Sequence, residues 1–247
     1  MYYIIFDLEF NQDFSSLQHF EIKNNHYPFE IIQIAALKLD TALNTLESFN
    51  RYVKPYFYSR VCPFITSLTG ITTDQLTEEA TFPEVYPHFL EFIGDPSAIF
   101  CTWGMSDLKE LFRNAHYHNL SSTPLPRGFI NIQPLVSRYL NFPTKKLLRL
   151  EHAVSALDIP KTYPFHNALN DAYYTSEIFK KVYHSGVTPS FYDPTYRSTP
   201  PMQPKKQLDT PALLQQFAKM YNRPLTKEEE TMIILAYKMG KTHQFLK

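Results

Sequence analysis

The chain opens on a short apolar and aromatic run, Tyr2–Glu9 (YYIIFDLE), followed by polar residues. Its length and composition predict a buried strand. Phe14–Tyr27 is polar and irregular and reads as a loop. Glu30–Asp40 (EIIQIAALKLD) reads as a second strand and Leu46–Lys54 as a third. Thr41–Asn44 supplies a turn between them, so the pair predicts an antiparallel hairpin. Pro63–Gly70 leads into a stretch where Thr72 or Thr73 can cap a short helix. Helical spacing over Phe82–Ile93 ends near Gly94. Ala98–Cys101 predicts a short strand. Ser106 starts a helix through about Tyr117, with Leu108, Leu111 and Phe112 on one face. Gly128–Ile132 predicts another strand, leading into a helix over Gln133–Leu140. Lys146–Leu157 is helical until Ile159-Pro160 breaks it. Ala168–His184 predicts a long helix with Ala172, Ile178, Phe179 and Val182 turned to a core.

The pattern then changes. Ser185–Asp209 carries Pro189, Pro194, Pro200, Pro201 and Pro204, the look of a linker or extended arm. Thr210–Asn222 and Thr226–Met239 follow as two helices. Thr226 and Glu229 form a capping-box pattern ahead of Met232, Ile233, Leu235, Ala236 and Met239. The division expected is a domain over 1–184, a linker over 185–209 and a helical extension over 210–247. A helical pair this small rarely stands alone. Docking of its apolar stripe on the first domain is the default expectation; a homodimer or a protein partner are the alternatives. No repeat of 20–50 residues is visible.

Composition bounds the function classes. A chain of 247 residues suits one medium α/β domain plus an extra segment. With 44% hydrophobic and 15% aromatic residues it can fill a sizeable core. Lys+Arg and Asp+Glu are both 24, so no global positive field marks a nucleic-acid binder. Such a role must rest on a local site, or on bound cations as the positive charge. Cys62 and Cys101 suit reduced thiols in a cytoplasmic protein better than a disulfide framework. No run of about 18 apolar residues argues for a membrane span. The first residues show no basic leader and no small-residue cleavage site.

The chemistry-bearing residues are carboxylates. Asp7 and Glu9 stand two apart on the first strand, so both project from one face, while Phe6 and Leu8 point to the other. Two like charges there repel each other, and a divalent cation between them would reverse that. A solvated strand end is the plain alternative. Asp107 follows the strand Ala98–Cys101 and a Trp103-Gly104 turn, at the strand end where open α/β sheets place ligands. An ordinary acid in a first helical turn would look the same. His166 and Asp171 lie in HNALNDAYYT at the start of the long helix. A histidine there can take a proton from a water, and an aspartate held on the helix can bind a metal. A capping histidine and a helix-dipole aspartate are the alternatives.

In this order and spacing the segments resemble the DEDDh exonucleases, the DnaQ-like and RNase T-like branch of the ribonuclease H-like fold. The matching motifs are FDLEF at 6–10, WGMSDLKEL at 103–111 and HNALNDA at 166–172, joined by EIIQIAA at 30–36 and LTGIT at 68–72. The resemblance covers about residues 2–183, and similarity to KapD-like exonucleases is part of it. It implies a mixed α/β sheet of about five strands, the first three antiparallel, flanked by helices. It implies metal-dependent 3′→5′ exonuclease activity with two Mg²⁺ or Mn²⁺ ions. Asp7, Glu9, Asp107 and Asp171 would hold the ions and His166 would be the general base. Two departures stand out: Ala36 replaces a frequent glycine, and the span between Glu9 and Glu30 is long and without an evident motif.

The expected substrate is single-stranded nucleic acid, RNA or short oligonucleotides ahead of DNA. A DNA-directed proofreading or repair exonuclease and a non-catalytic nucleic-acid-binding protein are the rival readings. Phe10 would pack beside the terminal base or serve as a wall residue. Leu68, Thr69, Gly70 and Ile71 resemble the segment that lines the terminal nucleotide, with Gly70 allowing close approach. Trp103 is expected to pack beside the site among the substrate-binding residues, with direct base stacking as the alternative. Lys145, Lys146 and Arg149, and the pair Lys205-Lys206, are phosphate contacts or solvated faces.

Overall fold

The computed structural model describes residues 1–12, 29–142, 147–195 and 209–241. The loop expected over 14–27 and the lysines at 145–146 and 205–206 lie outside the described residues. The contacts divide the chain into two units, Met1–Thr195 and Tyr196–Lys247.

The first unit is built on a six-stranded sheet in the order β3-β2-β1-β4-β5-β6. Its strands are β1 (Tyr3–Asn11), β2 (Glu30–Leu39), β3 (Thr45–Tyr52), β4 (Ile99–Thr102), β5 (Gly128–Asn131) and β6 (Ser190–Phe191). β1, β2 and β3 pair antiparallel, as expected. Their hairpin turn is closed by Asp40, whose Oδ1 accepts from the N–H groups of Ala42 and Asn44 at 2.8 Å each. β4 and β5 join in parallel, and β6 closes the far edge antiparallel.

β1 is buried on both faces. Ile4, Phe6 and Leu8 pack into a cluster with α3 (Phe82–Ile93) and α4 (Ser106–Tyr117). Tyr3 and Ile5 pack into a second cluster with α5 (Ile132–Tyr139), α6 (Leu150–Ala156) and α7 (Ala168–Val182). Past Ile5 this second face turns polar, at Asp7 and Glu9. Opposite Glu9, β2 carries one extra residue: Glu9 faces Gln33 and Phe10 faces Ile31. The displaced Ile32 packs with Val61, Ile65, Ile71 and Leu76, beneath α1 (Pro63–Thr69) and α2 (Thr73–Leu76).

The structure differs from the sequence reading in three places. Pro63–Thr69 is a helix, with Pro63 at its start and Gly70 closing it at φ 76°. Helix α6 begins at Leu150, with Arg149 extended at its N-cap position and residues 147–149 outside the helix, and the expected start at Lys146 lies outside the described residues. β6 lies within the stretch expected as linker. Tyr192 holds it there, donating its N–H to Arg127 O at 2.8 Å and packing on Phe112 at 4.8 Å.

The second unit holds α8 (Thr210–Tyr221) and α9 (Lys227–Lys241). The capping box forms: Thr226 N–H donates to Glu229 Oε2 at 2.9 Å, and Glu229 N–H donates to Thr226 Oγ1 at 3.3 Å. Leu213, Phe217 and Tyr221 line a groove with Met232, Ile233, Ala236 and Tyr237. Among the described residues no helix is long and apolar enough to cross a membrane.

Candidate active site

Three carboxylates converge at the polar end of β1. Asp7 and Glu9 come from the strand and Asp171 from the first turn of α7, each offering an oxygen within 4.8 Å of the others. Asp107 arrives in the first turn of α4, after β4. Asp107 lies outside that 4.8 Å set but accepts from the Leu8 N–H and acts on the charges of Asp7 and Glu9, and the two helical carboxylates sit where the macrodipole favours an anion.

Their electrostatics record the crowding. Burial pushes the Asp7 carboxyl well above its ordinary range, and Asp107, Asp171 and Glu9 push it further. Burial, then Asp171 and Asp107, raise Glu9 to about 8. Asp107 rises to about 7 through burial, held back by its own N–H and that of Leu8. Asp171 rises to about 6 through burial, opposed by the N–H and the charge of His166. A divalent cation among these carboxylates would reverse their mutual repulsion. Asp171 Oδ1 is buried and has no hydrogen-bond partner among the described residues, which fits a cation ligand. The oxygen-only donor set suits Mg²⁺ or Mn²⁺.

Each motif is locked from behind. Gln33, fully buried in β2 opposite Glu9, donates to Asn50 Oδ1 at 2.9 Å and accepts from Ala168 N–H at 3.3 Å. It ties the strand beside β1 to the first residue of α7. Asn131, at the end of β5, accepts from Gly104 N–H at 3.1 Å and from Gln133 N–H at 3.2 Å. Gly104 adopts φ 93°, open to glycine, so the turn before Asp107 is set by residue type and by Asn131 together. Tyr174 of α7 accepts from Tyr163 N–H and donates to Tyr163 O, both at 2.7 Å, and stacks on Phe165 at 4.7 Å. That anchors the approach to His166, which is exposed, sits at φ 63° and donates its N–H to Asp171 Oδ2 at 3.2 Å.

These motifs, in this arrangement, decide the family. The chain belongs to the RNase T exonuclease family, which matches residues 4–179. It is a 3′→5′ exonuclease, a phosphodiester hydrolase, and its acidic cluster stands where a divalent metal could bind. It is 30% identical over 159 residues to the DNA polymerase III subunit epsilon of Aquifex aeolicus, across 62% of this chain and 71% of that one. It is 28% identical over 161 residues to the "Probable 3'-5' exonuclease KapD" of Bacillus subtilis, across 64% and 75%. It is 32% identical over 116 residues to the human 3′-5′ exoribonuclease 1, but spans only 29% of that protein and 46% of itself. Among solved structures, the nuclease domain of 3′hExo, a DEDDh member bound to rAMP, matches with TM-score 0.65 at 22% identity. That match covers 78% of this chain and 96% of that one.

The expected substrate residues of the exonuclease divide. Leu68 is exposed on α1, and Gly70 has open space around the position of a side chain. Thr69 Oγ1 donates to Ile65 O at 2.9 Å and accepts from Ile71 N–H at 3.1 Å, which stiffens the helix end. Ile71 is buried in the cluster beneath α1 and α2. Phe10 packs against the first core cluster, its ring 5.9 Å from Phe29, on the opposite side of β1 from Asp7 and Glu9. Trp103 packs against the second cluster. Gln33, Asn131 and Tyr174 were absent from the sequence reading. Gln33 had a signal: it is the one uncharged polar side chain in EIIQIAALKL.

Proposed function

We propose that this chain removes nucleoside monophosphates from the 3′ end of single-stranded nucleic acid by two-metal-ion hydrolysis. Supporting this is the convergence of Asp7, Glu9 and Asp171 oxygens within 4.8 Å, with His166 tied to Asp171. Asp7, Glu9, Asp107 and Asp171 would hold the ions. The ions would supply charge neutralisation at the phosphate and a more acidic water. His166, on an exposed turn fixed by Asp171 and Tyr174, would take the proton of the attacking water. Leu68, Thr69 and Gly70 would face the terminal nucleotide. RNA or short oligonucleotides are the favoured substrate, in keeping with the exoribonuclease relative. The DNA polymerase subunit among the relatives favours a second reading, a proofreading or repair exonuclease on DNA. A cytoplasmic setting completes the proposal, supported by the free thiols of Cys62 and Cys101.

One assay tests it. End-labelled single- and double-stranded RNA and DNA are incubated with Mg²⁺, Mn²⁺ or chelator. Stepwise shortening from the 3′ end, only with metal, is expected. Internal cuts, or cleavage that survives chelation, would overturn the assignment, and the preferred polymer separates the two readings.

A further inference from the structure

Residues 51–60 read RYVKPYFYSR. Arg51, Lys54 and Arg60 interleave there with Tyr52, Tyr56, Phe57 and Tyr58, and no acidic residue intervenes. In a chain of zero net charge this is a local positive and aromatic stretch, the composition that holds single-stranded nucleic acid.

The fold holds this loop rigid from the end of the catalytic strand. Asn11 and Glu30 are paired at the ends of β1 and β2. The buried Glu30 carboxylate accepts from the N–H groups of Tyr56, of Phe57 at 2.8 Å and of Tyr58 at 3.1 Å. The buried Asn11 side chain donates to Arg60 O at 3.0 Å and accepts from Cys62 N–H at 2.9 Å. The extra residue opposite Glu9 lies in β2, so the alternation of β1 is unbroken. Asp7, Glu9 and Asn11 therefore share one face, and Asn11 stands about 7 Å beyond Glu9. The chain then passes directly into α1, which packs on β1.

Tyr56 and Arg60 are among the side chains of this fixed loop that project into solvent. Tyr56 is 72% exposed, although its ring is backed by Phe57 at 5.2 Å and His118 at 5.8 Å. His118 in turn stacks on the buried Phe82 at 5.1 Å. Arg60 is exposed and makes no ion pair among the described residues. A buried carboxylate and a buried amide devoted to main-chain N–H and C=O groups of a surface loop preorganise it for contact. A phosphate backbone with bases suits the pairing of an aromatic face with an unpaired guanidinium.

We propose that loop 54–60 receives the nucleotides just upstream of the 3′ end, with Tyr56 as a stacking platform for a base and Arg60 as a phosphate contact. This rests on the exonuclease reading above. The contact is blind to base identity, because every base offers a π-face. It acts only on substrates long enough to reach the loop.

The test compares substrate lengths in the full chain. kcat/KM is measured for a 12-mer and a dinucleotide with wild type, Tyr56→Ala, Tyr56→Phe and Arg60→Ala. The ratio of 12-mer to dinucleotide is expected to fall about tenfold in each alanine variant, and Tyr56→Phe to restore it. Arg60→Ala should also flatten the salt dependence of 12-mer binding, by a slope of about 0.7. Binding of a labelled 12-mer is followed by fluorescence anisotropy in chelator, where turnover is not needed. Ratios and affinities equal to wild type would overturn the proposal, as would losses equal at both lengths. A wild type that cleaves neither substrate would sink the exonuclease reading, while the anisotropy series would still decide the loop.

Discussion

The main-chain N–H of His166 donates to Oδ2 of Asp171, while Oδ1 of the same carboxylate is buried with no partner among the described residues. One oxygen fixes the turn that carries the proposed base, and the other is free to serve as the proposed cation ligand. The two roles separate by mutation. Asp171→Asn keeps an acceptor for the His166 N–H but loses the charge, whereas Asp171→Ala loses both. Both variants should lose Mn²⁺ binding by titration calorimetry. In chelator, the asparagine variant should melt at or above wild type and the alanine variant below it. Equal melting of the two would mean that the hydrogen bond contributes nothing to the turn.

His166 is exposed and reaches the site from a left-handed turn, so replacing its ring disturbs little packing. His166→Ala should lower kcat by roughly 10²–10⁴-fold, the usual size of a lost acid–base group. KM and the Mn²⁺ affinity should stay near wild type. Steady-state kinetics on an end-labelled oligonucleotide check this, and a loss carried by KM would contradict the role of base.

The carboxyls make a pH prediction with a definite sign. Glu9, Asp107 and Asp171 have folded-state values raised to about 8, about 7 and about 6. A raised carboxyl favours folding below its unfolded value, near 4, and that contribution disappears as pH rises through the folded value. Metal-free protein should therefore lose stability between pH 5 and pH 8. A divalent cation opposes the same repulsion, so the gain in Tm from Mn²⁺ over chelator should widen across that window. Asp7→Asn should flatten the curve and abolish metal-dependent cleavage. A metal gain independent of pH would show that the cation binds elsewhere.

Much of this site is legible in the amino-acid pattern because strand alternation alone puts Asp7 and Glu9 on one face. The same alternation puts Phe10 on the other face, where it packs with Phe29 and the core. Helix α1 escaped because Ile65 is its one buried side chain, so no apolar stripe marks it. Strand β6 has two residues and exposed side chains. Its place is set by Tyr192 against Phe112 and Phe129, contacts that no local pattern records. Gln33 was visible as a polar residue in an apolar run, but its partner Ala168 lies 135 residues away. A single sequence shows the anomaly and not the partner that explains it.

Tyr192 also places the C-terminal limit of the sheet unit. A chain ending at Thr195 keeps its ring on Phe112 and its N–H bond to Arg127 O. A chain ending at Pro189 loses both, together with β6. The first truncation should cleave oligonucleotides with the wild-type kcat. The second should melt about 4 °C or more below the first, from the lost aromatic contact and burial. Indistinguishable melting curves would mean that β6 adds nothing to the unit.

Gln33 makes the sharpest case for a positioning residue. It stands opposite Glu9 and binds the first N–H of the helix that carries Asp171. Gln33→Met preserves bulk but leaves the buried Ala168 N–H without its acceptor, a loss of about 1–3 kcal/mol. The larger effect should fall on geometry, since a shift near 1 Å in such a constellation lowers turnover about 10²-fold. The Mn²⁺ concentration for half-maximal activity should rise several-fold and kcat should fall, while KM for a dinucleotide changes little. Asn50→Ala removes only the bond on the β3 side and should give a smaller version of the same pattern. If Gln33→Met lowers the melting temperature and the metal midpoint stays put, the residue supports the fold alone and the distance between β1 and α7 is set elsewhere.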